Sequence, residues 1–158
     1  MGYYVTLEHS NAVIPKSKLN EAYEILCGLN YYNELKSGGT GQKFDKEWAE
    51  ANKFGANESV WFSWMEWNYP GTCATTGAIL GELGFDYHED EDGVGINGYD
   101  AKLGDEAIFL AALAPVLVSN DAEEPQFVWR GEDGAVWRQI VVKGKMIEQI
   151  GRIAFEPV

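Results

Sequence analysis

The sequence predicts an α+β fold: a mainly antiparallel sheet built from hairpins, with about three helices packed on it. Three observations carry this expectation. Asp92-Gly93 and Asp133-Gly134 each sit between runs of strand-forming residues, and Asp-Gly favours a hairpin because glycine accepts the positive φ of the tight turn. Three segments, 18–29, 72–83 and 105–118, space their apolar residues at helical intervals. Hairpins with helices interspersed among them fit a sheet with helices on one face. A chain of 158 residues buries a real core and shows no linker, so one domain spanning 1–158 is expected.

Tyr3 to Glu8 is β-branched and aromatic and reads as the first strand. Ser10-Asn11 is a turn signal, so Ala12-Val13-Ile14 reads as a short return strand stopped by Pro15. Ser17 is placed to cap a helix from Lys18 to about Leu29, with Leu19, Ala22, Tyr23, Leu26 and Leu29 on one stripe. Ser37 to Gly41 is a loop, and a short helix carrying Trp48 is expected over 45–53. Val60 to Trp64 reads as a buried strand and Met65 to Gly71 as a loop. Thr72 is placed to cap the second helix, which ends at Gly84. Phe85–Glu89 and Val94–Asn97 form the first Asp-Gly hairpin. Asp105 begins the third helix, which runs to about Val118 with a bend at Pro115. Asn120 to Pro125 is an acidic loop. Phe127–Gly131 and Ala135–Val142 form the second hairpin, and Lys143-Gly144 turns into a last strand from Met146 to about Phe155.

Charge is distributed unevenly. Between Glu82 and Asp133 fourteen carboxylates face only Lys102 and Arg130, while the rest of the chain is nearly neutral. Such a field repels nucleic-acid backbones and attracts basic surfaces. No lysine or arginine stripe is present, so direct nucleic-acid binding is not expected. The N-terminus lacks a signal peptide's basic start and apolar stretch, and no apolar run reaches the roughly 20 residues of a membrane span. Cys27 and Cys73 do not make a disulfide framework. Cys27 lies in an apolar run and reads as buried, whereas Cys73 follows Pro-Gly-Thr and reads as closer to the surface. A cytoplasmic protein is expected.

No motif for nucleophilic, phosphoryl-transfer or dinucleotide chemistry is present; Gly93-Val94-Gly95-Ile96-Asn97-Gly98 has the last motif's glycine spacing but lies inside a hairpin. No metal or cofactor site is expected. His88-x-Asp90-x-Asp92-Gly93 matches the first half of a calcium loop, but its twelfth position is Tyr99 where a bidentate glutamate is needed. His9, His88, Cys27 and Cys73 are not paired at zinc-ligand spacing.

Two constellations remain. Asp86, Glu89, Asp90, Glu91 and Asp92, with Glu123 and Glu124, are candidates to contact a basic partner; the alternative is a sheet edge kept soluble by charge. Trp61, Trp67 and Tyr69 are candidates to hold a small ligand or sugar; the alternative is aromatic mass in the core. Trp129-Arg130 and Trp137-Arg138 flank the second turn and are expected to form a cross-strand ladder, the indoles packing and the arginines pairing with Glu132 or Asp133.

Several segments, Met-Gly-Tyr-Tyr-Val-Thr-Leu at 1–7, Trp-Phe-Ser-Trp-Met at 61–65, Gly-Tyr-Asp-Ala-Lys-x-Gly at 98–104 and Trp-Arg-Gly-Glu-Asp-Gly-Ala-Val-Trp-Arg at 129–138 among them, give the chain a resemblance to a group of small, acidic, uncharacterised proteins encoded by phages and prophages. The resemblance implies an accessory protein acting in a bacterial cytosol and carries no catalytic residues with it. The functional expectation is a non-enzymatic protein whose acidic surface binds a basic surface of a host nucleic-acid-handling or defence protein, as an inhibitor. The alternative is a small-ligand or carbohydrate binder using Trp61–Tyr69, with or without a cation.

Overall fold

The computed structural model describes residues 2–39, 58–152 and 154–157. The expected 45–53 helix and Trp48 lie outside these residues. An α+β architecture is observed: eight strands in one antiparallel sheet, with the helices on one of its faces. The strands are β1 (Tyr4–Ser10), β2 (Ala12–Pro15), β5 (Phe85–Asp90), β6 (Gly93–Lys102), β7 (Val118–Ser119), β8 (Gln126–Gly131), β9 (Val136–Val142) and β10 (Lys145–Ile150). A separate two-stranded ribbon pairs β3 (Gly38–Gly39) with β4 (Val60–Trp61). The helices are α1 (Leu19–Gly28), the single turn α2 (Tyr69–Thr72), α3 (Thr76–Leu83) and α4 (Glu106–Leu113).

The two Asp-Gly hairpins form as expected, β5–β6 and β8–β9. The expected return strand at 12–14 does not return. β1 and β2 instead run in one line along the same edge of the long strand β6, with Thr6 opposite Asp100 and Val13 opposite Gly95. That is seven residues against five, so the line bulges at Ser10-Asn11. A turn signal marks where the ladder breaks, but the partners on either side decide whether the chain reverses. Here β6 is long enough to pair with both halves.

Burial alternates along the strands. Val5 and Leu7 point into the core while Tyr4, Thr6 and Glu8 are exposed. The covered face meets α1 through Ala22, Leu26 and Cys27, α3 through Ile79, Leu80 and Leu83, and α4 through Phe109, Leu110 and Leu113. Each such large apolar side chain contributes about 1.5–3 kcal/mol on burial.

Several boundaries move for local reasons. Thr75, not Thr72, caps α3, its hydroxyl accepting from the Ala78 N–H at 3.0 Å. Gly84 ends α3 as expected. α4 stops at Leu113 because Pro115 closes it into a 3-10 turn (Ala114–Val116), and Val118 then enters a strand. The strand expected over 60–64 lasts two residues. Trp64 takes a φ of 70°, which reverses the chain and exposes its indole, while Phe62 turns into the core. The last strand ends at Ile150, beyond which β9 offers Val136 O only to the Gly151 N–H. Cys73 is buried, its thiol donating to Glu82 Oε2 at 2.9 Å; α3 folds back over it.

Candidate functional site

The sheet face away from the helices is open, and the acidic hairpin lies at its edge. Period-two alternation divides the five hairpin carboxylates. Asp86, His88 and Asp90 stand opposite Gly98, Gly95 and Gly93 on the open face. Glu89 stands opposite Val94 and faces the helical side, beside Leu19 and Thr75. Glu91 and Asp92 form the exposed two-residue turn. The five carboxylates are therefore divided between two faces and a tip.

Two glycines make this geometry possible. A Cβ on Gly95 would lie 2.8 Å from His88 Cε1, so only a bare backbone lets the imidazole lie flat across β6. Gly93 has a φ of 138°, and a Cβ there would reach within 2.0 Å of the Ile14 carbonyl oxygen. The turn is consequently seated on β2, where Asp92 O accepts from the Lys16 N–H at 3.0 Å, and does not project freely.

His88 is held from both sides. Its Nε2 lies 3.1 Å from Asp90 Oδ2 and its Nδ1 2.8 Å from Asn97 Nδ2. With the Asn97 amide donating to Nδ1, the remaining ring proton points at Asp90. The Asp92 N–H, at 2.8 Å, and then His88 hold the Asp90 carboxyl below the usual aspartate range. Asp90 is thus a fixed, ionised carboxylate. Among the described residues, no serine or cysteine is hydrogen-bonded to His88, and no three His, Cys, Asp or Glu side chains converge as a metal site requires.

The second acidic segment arrives through Asn11. That side chain is 1% exposed. Its Nδ2 donates to Asp121 Oδ1 at 2.9 Å and Glu124 O at 3.0 Å, and its Oδ1 accepts from the Gln126 N–H at 2.8 Å. One buried asparagine therefore pins both ends of the 120–125 loop into the gap between β1 and β2. Glu123 and Glu124 are exposed on this loop, and Glu123 accepts from Gln126 Nε2 at 2.9 Å.

Between the two segments runs a groove of about 340 Å³, floored by Val13 and Gly95 and walled by His88, Asp90 and Asp92 on one side and Asn120 on the other. It crosses β5, β6, β2 and β7, strands drawn from the chain's beginning, middle and later third. Asp121, Glu123 and Glu124 follow directly on Asn120. A groove of this kind suits a lysine or arginine side chain entering between fixed acceptors. Asn11, Asn97 and Asn120 were not among the expected site residues. The signal for Asn11 was present as a polar break inside a strand run, read there as a reversal.

The aromatic candidates do not converge. Tyr69 is wholly buried, its hydroxyl donating to Leu26 O at 2.6 Å and its ring packed against Phe62 and Phe109. It holds the helical layer together and is not offered to a surface ligand. Trp61 is half-buried over Gly38, and Trp67 is half-buried with its carbonyl accepting from Asn30 Nδ2. The half-exposed indole of the segment belongs to Trp64.

The tryptophan ladder forms, with the Trp129 and Trp137 rings 6.4 Å apart and 9° from parallel. The arginines pair elsewhere than expected. Arg130 binds Glu8 at 2.7 Å across β1, and Arg138 donates to Gln149 and Gln126, because both point to the open face while Asp133 is taken by the Tyr3 hydroxyl. No described helix is long and apolar enough to cross a membrane. Compared with protein-family models, curated proteins and solved structures, the chain matches none.

Proposed function

We propose that this chain is a non-enzymatic, phage-type accessory protein of the bacterial cytoplasm, whose acidic groove binds a basic surface of a host nucleic-acid-handling or defence protein and thereby inhibits it. One observation carries the reading: the groove is walled by Asp90 and Asp92, with Asp90 held by the Asp92 N–H and His88, and its opposite wall ends at Asn120, from which the acidic 121–124 segment continues. Carboxylates fixed before the encounter lose little freedom on binding, so basic groups gain affinity there that a mobile tail would not give. The surrounding negative field accelerates encounter.

The test compares two variants as bait in bacterial lysate at low and high salt. Asp86→Asn/Asp90→Asn/Asp92→Asn removes charge from the open face and tip. Glu89→Gln removes it from the helical side. The triple variant should lose capture of partners retained by the wild type at low salt, through a slower on-rate, while Glu89→Gln retains it. Equal capture by both variants, or capture unaffected by salt, refutes the groove as the interface.

A further inference from the structure

The end of the sheet remote from the acidic groove is a free edge among the described residues: β10 closes the strand order and pairs with β9 alone. Across the turn Lys143-Gly144, Val142 stands opposite Lys145, and the same register continues to the Gly151 N–H, which bonds Val136 O at 2.8 Å. Alternation then assigns the amides. Lys145, Ile147 and Gln149 bond β9, while Met146, Glu148 and Ile150 direct their N–H and C=O outward. β10 has no proline and no register shift, and Ile147 and Ile150 are 44% and 87% exposed. Charge is the one device on this strand that deters a further strand.

That charge is almost all of one sign. Between Val136 and Arg152 stand Arg138, Lys143, Lys145 and Arg152, four of the chain's 12 lysines and arginines, against the single acid Glu148. Among the described residues none of the four is ion-paired with a carboxylate, in a chain with 25 acids. A lysine on an edge also keeps it soluble, but Arg138 lies one strand inward, on β9, where no edge needs guarding. Its Nε donates to Gln149 Oε1 at 2.7 Å and its Nη1 to Gln126 Oε1 at 3.1 Å. Two neutral acceptors orient the guanidinium without neutralising it, and the fork keeps further N–H groups for an anion. It borders a cavity of about 250 Å³ together with Val128, Val136, Gln149 and Ile150.

Pattern and charge together name the occupant. On the open face β10 presents Lys145, Ile147 and Gln149, the last opposite Arg138. A strand laid on this edge sets an acid beside Lys145, an apolar residue beside Ile147 and a second acid within reach of Arg138. A second copy of the chain would instead bring two basic edges together. A nucleic-acid strand lacks the alternating amides that complete the ladder, and the negative field of the remaining chain repels it.

We propose that the β10 edge binds an extended acidic peptide as an added strand, its backbone pairing with Met146, Glu148 and Ile150 and its alternate carboxylates meeting Lys145 and Arg138. This site is independent of the acidic groove and of the reading above.

The test titrates the full chain with Ac-Thr-Glu-Thr-Val-Thr-Glu-Thr-NH2, whose pattern is the same in either direction, and follows backbone amide resonances and hydrogen exchange. At saturation the Met146, Glu148 and Ile150 amides should gain protection, while those of Lys145, Ile147 and Gln149, already bonded to β9, change little. The peptide with lysine in place of glutamate should not bind. N-methylation of its two central threonines removes N–H groups that face β10 and leaves the charge intact, and should abolish binding. Arg138→Gln should weaken binding about tenfold, the scale of a hydrogen bond to a charged group, and Lys145→Gln about threefold, the scale of an exposed ion pair. Lys145 is exposed, so its variant reports even where loss of Arg138 disturbs the strand. Undiminished binding of the N-methylated peptide, or Lys145→Gln binding as tightly as the wild type, overturns the proposal. So does tighter binding of oligothymidylate than of the peptide, or self-association in sedimentation without peptide binding.

Discussion

Asn11→Ala removes the one side chain that ties the 120–125 loop into the break between β1 and β2. Three hydrogen bonds are lost, at 2.8 to 3.0 Å. Their costs differ. Asp121 is exposed and rehydrates when its partner leaves. The Gln126 N–H belongs to a residue 5% exposed and is left without its acceptor, a loss of about 1–3 kcal/mol. Adding about 1 kcal/mol for the bond to Glu124 O gives a destabilisation of roughly 2–4 kcal/mol. At about 2–4 °C per kcal/mol for a chain of this size, the melting temperature should fall by about 4–16 °C. Urea denaturation should show a lower midpoint with an unchanged slope, and the Gln126 amide should lose hydrogen-exchange protection. Ser119→Ala, which removes a hydrogen bond on the same loop in an exposed setting, should cost less than about 0.5 kcal/mol. Because Asn11→Ala changes no charge, any loss of partner capture would report the position of the acidic wall alone. A destabilisation below about 1 kcal/mol, or an unchanged Gln126 amide, would refute the role assigned to Asn11.

Gly93→Ala forces a Cβ against the Ile14 carbonyl at a φ of 138°, so it should destabilise by at least about 3 kcal/mol, read by chemical denaturation; tolerance would mean that the turn is not seated on β2. Cys27 and Cys73 are both buried, and burial pushes the Cys73 thiol up to about 12. Neither should react with a thiol reagent at pH 8 in the folded chain, whereas both should in denaturant; rapid native labelling of Cys73 contradicts this packing. Stability should also depend on alkaline pH. Tyr3, hydrogen-bonded to Asp133, and Tyr23, raised chiefly by burial, are held up at about 12 from 10.0, and Cys73 rises to about 12 from 9.0. The folded chain keeps protons that the unfolded chain releases, so this stabilisation is complete below pH 9 and fades as pH rises towards 12. Lys36 acts oppositely: burial lowers it from 10.5 to about 8, the unfolded chain holds more protons between those values, and stability rises across that window. Denaturation midpoints should therefore rise modestly from pH 8 to 9 and fall steeply above 10.5, and Lys36→Met should abolish the rise; a midpoint flat to pH 11 would contradict the assigned burial.

The sequence by itself determined the fold class, the two hairpins and the places of the three main helices. These follow from local physics: glycine's access to positive φ at Gly93 and Gly134, helical spacing of apolar residues, and the end signal at Gly84. It also located the acidic segments and the Trp129–Trp137 ladder, since cross-strand neighbours follow once the three-residue turn at 132–134 sets the register.

What lies between such local units was decided only in three dimensions. Ser10-Asn11 carries the same turn signal whether the chain reverses or bulges. The length of β6, over eighty residues away, makes it a bulge. The strand run at 60–64 has the right residues, but β3 offers it only two partners, and Phe62 contributes more to the core beside Phe109, at 4.8 Å, than on a ladder. Tyr69 looked like a ligand-binding aromatic because sequence gives residue type, not depth. Glu106 is an acid in the first turn of a helix, a position that suits the helix dipole, and only the fold makes it 2% exposed. The acidic hairpin was legible as charge but not as a surface. Alternation divided it between two faces, and only the pairing of β2 with both β6 and β7 brought Val118 to Asn120, which lead into the second acidic segment, across the groove from it, because such contacts depend on strand order, which no local pattern encodes.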